Sequence, residues 1–332
     1  MIENNHPLLG HNTFHLNATA QYFAEYGSVD ELRNILDVYR NMPVLHIGQG
    51  SNLLFTGDVR GLVLHSAVRF IETVDMTQQH IFLRVGSGVL FDDFIAYAVS
   101  RGWGGAENLS YIPGEVGASA VQNIGAYGVE AKDIIQSVET LSIATLQPKT
   151  FTAAECQYDY RDSIFKNRLK NQYIVTAVVF RLDRQPHLRL DYGNVKQTLQ
   201  HITDPTIADV REAVTQIRKQ KLPEVSILGS AGSFFKNPLV PTNQYQQLAA
   251  QYPDMPHFDT PHGVKIPAAW LISKAGLKGK QIGGAQVYVN QPLVIVNTGN
   301  ATAEDIMQLA QLVQDTVSRL FQIRINPEVN YI

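Results

Sequence analysis

Three polar residues of this sequence are candidates for chemistry: an arginine, a serine and a glutamate. Arg161 stands among aromatic residues, where stacking can hold a guanidinium and direct its paired N–H groups at an oxyanion. Ser233 follows a glycine and precedes two phenylalanines, so its hydroxyl would extend from a constrained backbone into a partly apolar setting. Ser233 lacks the GxSxG context of a hydrolase nucleophile. Glu328 follows Pro327 close to the C-terminus.

Each of these residues also has an ordinary interpretation that residue type leaves open. Arg161 could be a surface arginine paired with Asp159 or Asp162. Ser233 could be a loop serine bonded to its own backbone, and Glu328 could be an exposed glutamate. The three residues alone therefore do not assign a reaction.

Two glycine-rich segments could bind a large ligand through bare backbone. The first, residues 46–55, follows a predicted buried strand, and its glycines and Ser51 offer consecutive amides that suit a pyrophosphate. The second, residues 112–128, has four glycines but keeps apolar residues, so we expect a buried loop whose amides face a flat or anionic cofactor. Neither segment has the Rossmann fingerprint, and each alone could also be a tight turn.

The composition is typical of a globular protein of enzyme size. Of 332 residues, 45% are hydrophobic and 17% are charged, and the net charge of −3 argues against a nucleic-acid surface. The single cysteine, Cys156, excludes disulfides within the chain and fits a reducing compartment. No metal site is expected, because there is no HExxH motif and the histidines do not cluster at ligand spacing. The lack of a signal region and of a membrane-length apolar run predicts a cytoplasmic protein without membrane insertion.

The elements that must position these residues are short and mixed, which predicts an α+β fold. Ser28 and Glu31 have the spacing of a capping box at the start of a helix. Thr302 is the predicted cap of a long helix, whose apolar face is Ile306, Leu309, Ala310, Val313, Val317 and Leu320. Other helices are predicted at about 91–101, 207–220, 242–251 and 267–275, and strands at 44–47, 61–66, 81–86, 135–146, 149–153, 173–180 and 293–297.

Taken in their order along the chain, the motifs resemble those of the UDP-N-acetylenolpyruvoylglucosamine reductase family. Each motif alone is weak, but the ordered set runs from residue 12 to 329 and covers essentially the whole chain. Leu190–Gly193 further resembles the subtype in which a tyrosine-bearing loop folds over the substrate. The motifs are Asn12–Phe14, Gly48–Asn52, Ile112–Gly128, Tyr160–Ser163, Lys221–Pro223, Gly232–Pro238 and Pro327–Val329.

The resemblance implies a fold, a domain order and a cofactor. The family holds FAD non-covalently between two α+β subdomains of the vanillyl-alcohol oxidase type, and a C-terminal α+β domain binds the substrate. Carried onto this chain, the first FAD-binding subdomain is 1–66, with 319–332 returning to it. The second is 67–210, and the substrate domain is 211–318.

The resemblance also implies roles for individual residues. The catalytic residues would be Arg161, Ser233 and Glu328. FAD would be bound by Gly48, Gly50, Ser51, Asn52, Pro113, Gly114, Gly117, Ala118, Ser119, Asn123, Ile124, Gly125 and Gly128. The substrate would be bound by Tyr127, Tyr192, Lys221, Asn237 and Gln291, with Tyr192, Lys221 and Asn237 mainly on its diphosphate. Glu115 departs from the small or hydroxyl residues of many relatives, so we expect its side chain to point away from the cofactor phosphates.

The reaction implied is the NADPH-dependent reduction of UDP-N-acetylenolpyruvoylglucosamine to UDP-N-acetylmuramate, a step of peptidoglycan precursor synthesis. Hydride would pass from flavin N5 to C3 of the enolpyruvyl group, and Ser233 would give a proton to C2. Arg161 and Glu328 would stabilise the enolate formed between these two transfers.

Two other function classes remain open at this point. An FAD-dependent oxidase acting on an alcohol or hydroxy acid would share the glycine-rich segments, but it gives no reason for Arg161, Ser233 and Glu328 to occur together. A non-catalytic protein that binds a nucleotide sugar would need no flavin, so a yellow purified protein would exclude it.

Overall fold

The apolar runs and turn residues of the sequence produce the predicted mixture of short strands and helices in a computed structural model, which describes residues 2–332. The helices are α1 Val29–Val38, α2 Phe91–Ser100, α3 Val116–Gln122, α4 Val195–Thr198, α5 Ile207–Lys221, α6 Thr242–Gln251, α7 Ala268–Lys274 and α8 Ala303–Phe321. The strands as far as the middle of the chain are β1 Ile2–Pro7, β2 Thr19–Tyr26, β3 Val44–Ile47, β4 Leu53–Leu54, β5 Val59–Ser66, β6 Ile71–Met76, β7 His80–Gly86, β8 Gly125–Ala126, β9 Val129–Glu130, β10 Ile135–Ser142, β11 Pro148–Thr152 and β12 Tyr173–Asp183. Those that follow are β13 Gly229–Ser233, β14 Leu239–Val240, β15 Phe258–Thr260, β16 Gly263–Lys265, β17 Gln281–Ile282, β18 Ala285–Val287, β19 Val294–Asn297 and β20 Asn330–Tyr331.

The chain divides into two compact units, each built from separate stretches of sequence. The first unit comprises the N-terminal residues through His6, Ala20–Gln49 and Val59–Arg218. The second comprises Pro7–Thr19, Gly50–Asp58 and Lys219–Ile332. The division into 1–66 with 319–332, 67–210 and 211–318 stays a prediction.

The first unit contains two large sheets and the two-stranded pair β8-β9. One of its apolar clusters joins residues of both large sheets, such as Leu62 and Leu141. One large sheet has the strand order β1-β2-β5-β3, in which β5 pairs in parallel with both β2 and β3. Its central strand carries the run Leu62–Leu64, which is fully buried, as expected for a strand covered on both faces. The other sheet is antiparallel, with the order β11-β10-β12-β7-β6. Helices α2 and α3 contribute buried residues to the core of this second sheet.

Helix α1 begins much as the capping-box spacing predicts. The Ser28 side chain accepts a hydrogen bond from the Glu31 backbone N–H at 3.1 Å. The Glu31 carboxylate binds the N–H of Gly27 at 2.8 Å rather than that of Ser28, so only half of the predicted box is formed. Leu32 and Leu36, four residues apart on one face of the helix, are buried.

The second unit packs α7 and α8 against the antiparallel sheet β13-β19-β18-β17. The Thr302 cap is confirmed: its side chain accepts from Asp305 N, and the Asp305 carboxylate accepts from Thr302 N. The predicted face of α8 is buried up to Val317, but the prediction is wrong for Leu320, which is 46% exposed. Phe321 is buried in its place, because the next inward position after Val317 falls one residue later, where the helix ends.

The segment 112–128, predicted to be a loop, contains helix α3 in its middle. Its small residues have a packing reason. A Cβ placed at Gly117 would lie 2.9 Å from the Cβ of Ser87, so only glycine lets the helix approach the end of β7 this closely. The loop prediction was wrong because small residues such as glycine and alanine occur both in flexible turns and in helices that pack closely against a neighbour.

Candidate functional site

The 112–128 segment is fixed to the first unit through its backbone. The N–H of Gly117 donates to the Ser87 carbonyl at 3.0 Å, and the N–H of Gly114 donates to the Gln49 side chain at 2.9 Å. These amides are engaged within the protein, so a ligand bound here would contact other atoms of the segment. Its predicted FAD-contact residues that lie exposed are Pro113, Ala118 and Gly128.

Arg161 is held against the C-terminal end of this segment. The residue has a left-handed backbone, with φ of 54°, and its guanidinium donates to the Gly125 carbonyl. It also lies 5.1 Å from the centroid of the Tyr160 ring, which is the aromatic contact that the sequence predicted. A Cβ at Gly125 would lie 2.9 Å from the Val129 carbonyl oxygen and 2.9 Å from Arg161 Nη1, so the backbone of Val129 leaves room only for glycine there. The half-buried guanidinium is thus oriented by a carbonyl and a ring.

Asn123 ties the same two stretches together. It ends α3 in the left-handed conformation, with φ of 47°. Its side-chain amide donates to the Asp159 carbonyl at 2.8 Å, and its side-chain oxygen accepts from Lys132 N at 3.0 Å. Because Asn123 is fully buried, these bonds fix the chain on which Arg161 lies.

The two tyrosines predicted to bind substrate lie beside each other. A Cβ at Gly128 would lie 3.2 Å from the Tyr192 Cβ, and one at Gly193 would lie 3.5 Å from the Tyr127 ring. The Tyr127 carbonyl accepts from the Asn108 side chain at 2.9 Å. Burial raises the pKa of Tyr127, while the nearby charge of Arg218 acts to lower it. Tyr192 is 43% exposed, so it is accessible to a ligand.

Arg218 is a candidate that the sequence analysis missed. It lies in α5, three residues before Lys221, and its Nε donates to the Tyr111 carbonyl at 2.9 Å. Burial lowers the pKa of Arg218, and the positive charge of Arg161 acts in the same direction. Two cations that share a poorly solvated region favour an anionic ligand. The sequence does place Arg218 and Lys221 three residues apart, on one face of a predicted helix. That spacing indicates a functional arginine only when the residues packed around α5 are known.

Ser233 is the last residue of β13 in the second unit, and its neighbours on both sides are anchored. Ser230 donates its N–H to the Thr13 carbonyl at 2.8 Å, and Phe234 donates to the Leu293 carbonyl at 2.7 Å. Ser233 itself is exposed between Gly232 and the fully buried Phe234. Across residues 2–332, the structure gives the Ser233 hydroxyl no hydrogen bond, so the interpretation as a self-bonded loop serine is wrong.

Glu328 is paired with the residues that directly follow Ser233. Its N–H donates to the Phe234 carbonyl at 2.8 Å, and Phe235 bridges to Pro327 in antiparallel fashion. The Glu328 carbonyl accepts from the Asn52 side chain at 3.3 Å. The residue is half-buried, so the interpretation as an exposed glutamate is wrong. The second unit therefore brings Ser233, Glu328 and the Gly50–Asn52 segment together.

The Gly50–Asn52 segment is equally constrained. Gly50 has φ of +68°, and a Cβ there would lie 2.1 Å from the His11 carbonyl, so only glycine fits. Directly after the segment, β4 pairs in parallel with β20 at the C-terminus. Asn237 accepts a hydrogen bond from Ala268 N at 2.9 Å through its side-chain oxygen, which leaves its amide N–H groups as donors. Lys221 is exposed at the end of α5.

Residues 2–332 offer neither a metal centre nor a membrane-spanning helix. No group of three or more histidine, cysteine, aspartate or glutamate side chains there could hold a metal ion. Within the same residues, no helix has the length and apolar character needed to span a bilayer.

Comparison with known proteins identifies the two halves of the chain. A family model for an FAD binding domain matches residues 20–145. A second model, for the C-terminal domain of UDP-N-acetylenolpyruvoylglucosamine reductase, matches residues 222–332. The predicted α+β fold, with an FAD-binding part followed by the family's C-terminal domain, is confirmed.

Full-length relatives agree with these matches. The UDP-N-acetylenolpyruvoylglucosamine reductase of Bacteroides fragilis is 49% identical over 100% of both chains. That of Flavobacterium johnsoniae is 42% identical over 100% of this chain and 99% of its own. The crystal structure of the Thermus caldophilus reductase, 24% identical, has the same fold, with a TM-score of 0.70 over 100% of this chain and 98% of that one.

These matches confirm the predicted resemblance and the predicted FAD cofactor. The chain is an enzyme, an FAD-dependent oxidoreductase, and it belongs to the UDP-N-acetylenolpyruvoylglucosamine reductase family.

Proposed function

We propose that this chain reduces the enolpyruvyl group of UDP-N-acetylenolpyruvoylglucosamine to give UDP-N-acetylmuramate, with NADPH as the electron donor, in peptidoglycan precursor synthesis. The relatives named for this substrate support the proposal along the full chain. The structural observation that carries it is the pairing of Glu328 with the strand end that presents an unbonded Ser233 hydroxyl. That arrangement suits delivery of a proton beside a carboxyl group.

The residues predicted to hold FAD fit a flat, anionic ligand. The exposed positions of the 113–128 segment are Pro113, Ala118 and Gly128, which have short or absent side chains and leave the surface bare. The ordered Gly50–Asn52 segment would add polar contacts. When bound, FAD supplies the hydride chemistry. The residues proposed to hold it remain Gly48, Gly50, Ser51, Asn52, Pro113, Gly114, Gly117, Ala118, Ser119, Asn123, Ile124, Gly125 and Gly128.

Arg161 is proposed to bind the carboxylate of the enolpyruvyl group and to stabilise the negative charge that develops on it. Its guanidinium is already oriented by the Gly125 carbonyl and the Tyr160 ring, so little reorganisation is needed when charge appears. Arg218 adds a second positive charge in the same unit and would favour the anionic form.

Ser233 is proposed to protonate C2 of the substrate. A serine hydroxyl is a weak acid, but a carbanion-like carbon is a strong base, so transfer becomes feasible once the hydroxyl is held in position. The buried anchors Ala231 and Phe234 on either side restrict the backbone of Ser233.

Glu328 is proposed to share a proton with the developing enolate. In Glu328→Gln, size and hydrogen bonding are retained but acidity is lost, so turnover should fall at least about tenfold, which corresponds to about 1.4 kcal/mol. FAD content should not change, because the backbone bonds of Glu328 are intact in the variant. Steady-state kinetics with the exposed Glu304→Gln as control would measure this. Wild-type turnover in Glu328→Gln would remove the residue from the reaction.

The nucleotide part of the substrate is proposed to be bound by Tyr127, Tyr192, Lys221, Asn237 and Gln291. Tyr127 and Tyr192 lie together in the first unit, and Asn237 keeps free amide N–H groups that can donate to an oxygen. The exposed Lys221 ammonium suits a diphosphate.

Replacing Lys221 with alanine should raise KM for the UDP-sugar, with a smaller fall in kcat, because binding energy far from the reacting carbon also orients it. The expected loss is about 1.5–3 kcal/mol, the scale of a hydrogen bond to a charged group. The exposed Lys278→Ala is a matched control and should keep the wild-type KM. If Lys221→Ala also keeps the wild-type KM, the lysine does not contact the substrate.

The proposed reaction is tested by identifying its product. Purified enzyme given NADPH and the enolpyruvyl UDP-sugar should consume both in equal amounts and form the saturated lactyl ether. NADPH oxidation that requires O₂ and leaves the UDP-sugar unchanged would contradict the proposal.

A further inference from the structure

Three titratable side chains of the first unit, Glu115, His65 and Glu25, form a connected chain from a buried carboxylate to an exposed one. The carboxylate of Glu115 lies 2.9 Å from Nε2 of His65, and Nδ1 of the same ring lies 2.9 Å from the carboxylate of Glu25. Glu115 is 3% exposed and His65 is 8% exposed, whereas the Glu25 side chain is 53% exposed. The buried carboxylate of Glu115 therefore has a buried partner in His65.

Glu115 connects two stretches that are far apart in sequence. Its backbone bridges to Leu90, and its carbonyl accepts from Ser119 N at 2.9 Å, which places it at the start of α3. Its side chain reaches the end of β3, since a Cβ at Gly48 would lie 3.0 Å from Glu115 Oε2. His65 is the register partner of Ile47, the residue just before Gly48. The Glu115–His65 pair therefore joins the start of α3 to the turn that follows β3.

The charges around His65 favour its protonated form. Burial alone would lower the pKa of His65, but hydrogen bonds and charges from Glu115 and Glu25 outweigh burial and raise it above 6.5. The neighbouring His46 has its pKa lowered to about 3 by burial and by the charge of His65, so it is neutral. Burial also raises the pKa of Tyr26, whose hydroxyl lies 2.8 Å from His46 Nε2. In this cluster, the two carboxylates favour the protonated form of His65, and Glu115 is its buried partner.

We propose that Glu115 and His65 are positioning residues that hold the Gly48 turn against the 113–119 segment and thereby set the affinity for FAD. The inference rests on the proposed use of these two segments for FAD. Neither side chain is assigned a contact with substrate. The pair fixes the spacing of two cofactor-binding stretches, and a buried carboxylate that loses its partner cannot keep that position.

The test is to measure the dissociation constant of FAD from the apoprotein, using the quenching of flavin fluorescence as the signal of binding. Glu115→Gln keeps the shape of the side chain but removes its charge, and we expect FAD to bind at least about tenfold more weakly. His65→Gln should weaken binding to a similar extent. The double variant should be no weaker than either single variant, because both changes remove one interaction. Glu25→Gln, on the exposed side of the same ring, is the matched control and should stay within about twofold of wild type.

Two further readouts separate positioning from general stability. Unfolding midpoints are measured with and without FAD: a positioning role predicts a smaller FAD-induced rise in the variants, whereas an equal rise in all proteins would contradict it. The second readout is the dependence of FAD affinity on pH. The pair needs protonated His65, so wild-type affinity should fall as pH rises through the raised pKa of His65, and Glu115→Gln should largely lose that step.

The outcomes distinguish this inference from the proposed function. Wild-type apoprotein that does not bind FAD would contradict the assignment of the cofactor itself. Wild-type binding with unchanged affinity in folded Glu115→Gln and His65→Gln would overturn only the positioning role. An effect of Glu25→Gln as large as that of Glu115→Gln would also overturn it, because Glu115, and not Glu25, lies against the Gly48 turn.

Discussion

Replacing Ser233 with alanine should block the second half of the reaction and leave the first half intact. Ser233 is proposed only as the acid that protonates C2, so reduction of the holoenzyme by NADPH should proceed at the wild-type rate. Reoxidation by the enolpyruvyl UDP-sugar should slow by about 10²–10⁴, the usual contribution of a positioned general acid. Anaerobic stopped-flow absorbance measures the two halves separately.

The Ser233→Ala experiment has a clear control and a clear contrary result. Ser226 is an exposed serine of the same unit, and Ser226→Ala should match wild type in both halves. Ser233 lies between buried anchors, so its loss should not change FAD content. Slow reduction by NADPH with normal reoxidation by the UDP-sugar would refute the role of Ser233 as the acid.

Removing the guanidinium of Arg161 should cause the next largest loss of rate, again in the reoxidation of the flavin by the UDP-sugar. In Arg161→Gln, the negative charge that develops on the substrate loses its oriented donor, and losses of this kind are about 10²–10³ in rate. Arg161→Lys keeps the positive charge but not the planar fork, so it should recover only part of the rate. The measurement is the rate of reoxidation by the UDP-sugar at saturating concentration.

Arg161 is also bonded to Gly125, so a structural effect must be separated from a chemical one. FAD content and unfolding midpoint report the structural effect, and the exposed Arg168→Gln is a matched control in the same segment. A folded, FAD-loaded Arg161→Gln enzyme that is reoxidised at the wild-type rate would exclude the arginine from charge stabilisation.

Local pattern was enough to predict most elements of the fold. The helix ending at Gln251 and the strand Val44–Ile47 occur where the sequence predicts them, because periodicity and capping are local properties. The exceptions depend on packing. Helix α3 is hidden in a glycine-rich stretch because its closeness to Ser87 selects small residues. At the end of α8, the core accepts Phe321 rather than Leu320.

The candidate site was less predictable from single residues than from the order of motifs. Ser233 and Glu328 each had an ordinary interpretation from the sequence. The evidence against it is the pairing of Glu328 with Phe234, which joins residues about a hundred positions apart in the chain. Arg218 and His65 carry no motif at all. Their importance arises from neighbours that are distant in sequence, such as Tyr111 for the arginine and Glu115 for the histidine.

We propose that one enzyme passes electrons from NADPH to an enolpyruvyl UDP-sugar by way of bound FAD. The most direct test is anaerobic titration of the purified yellow protein. NADPH should bleach the visible flavin absorbance, and the absorbance should return when enolpyruvyl UDP-sugar is added, with one equivalent of UDP-N-acetylmuramate formed. A bleached enzyme that recovers its colour only on admission of O₂, with the UDP-sugar unchanged, would contradict the account.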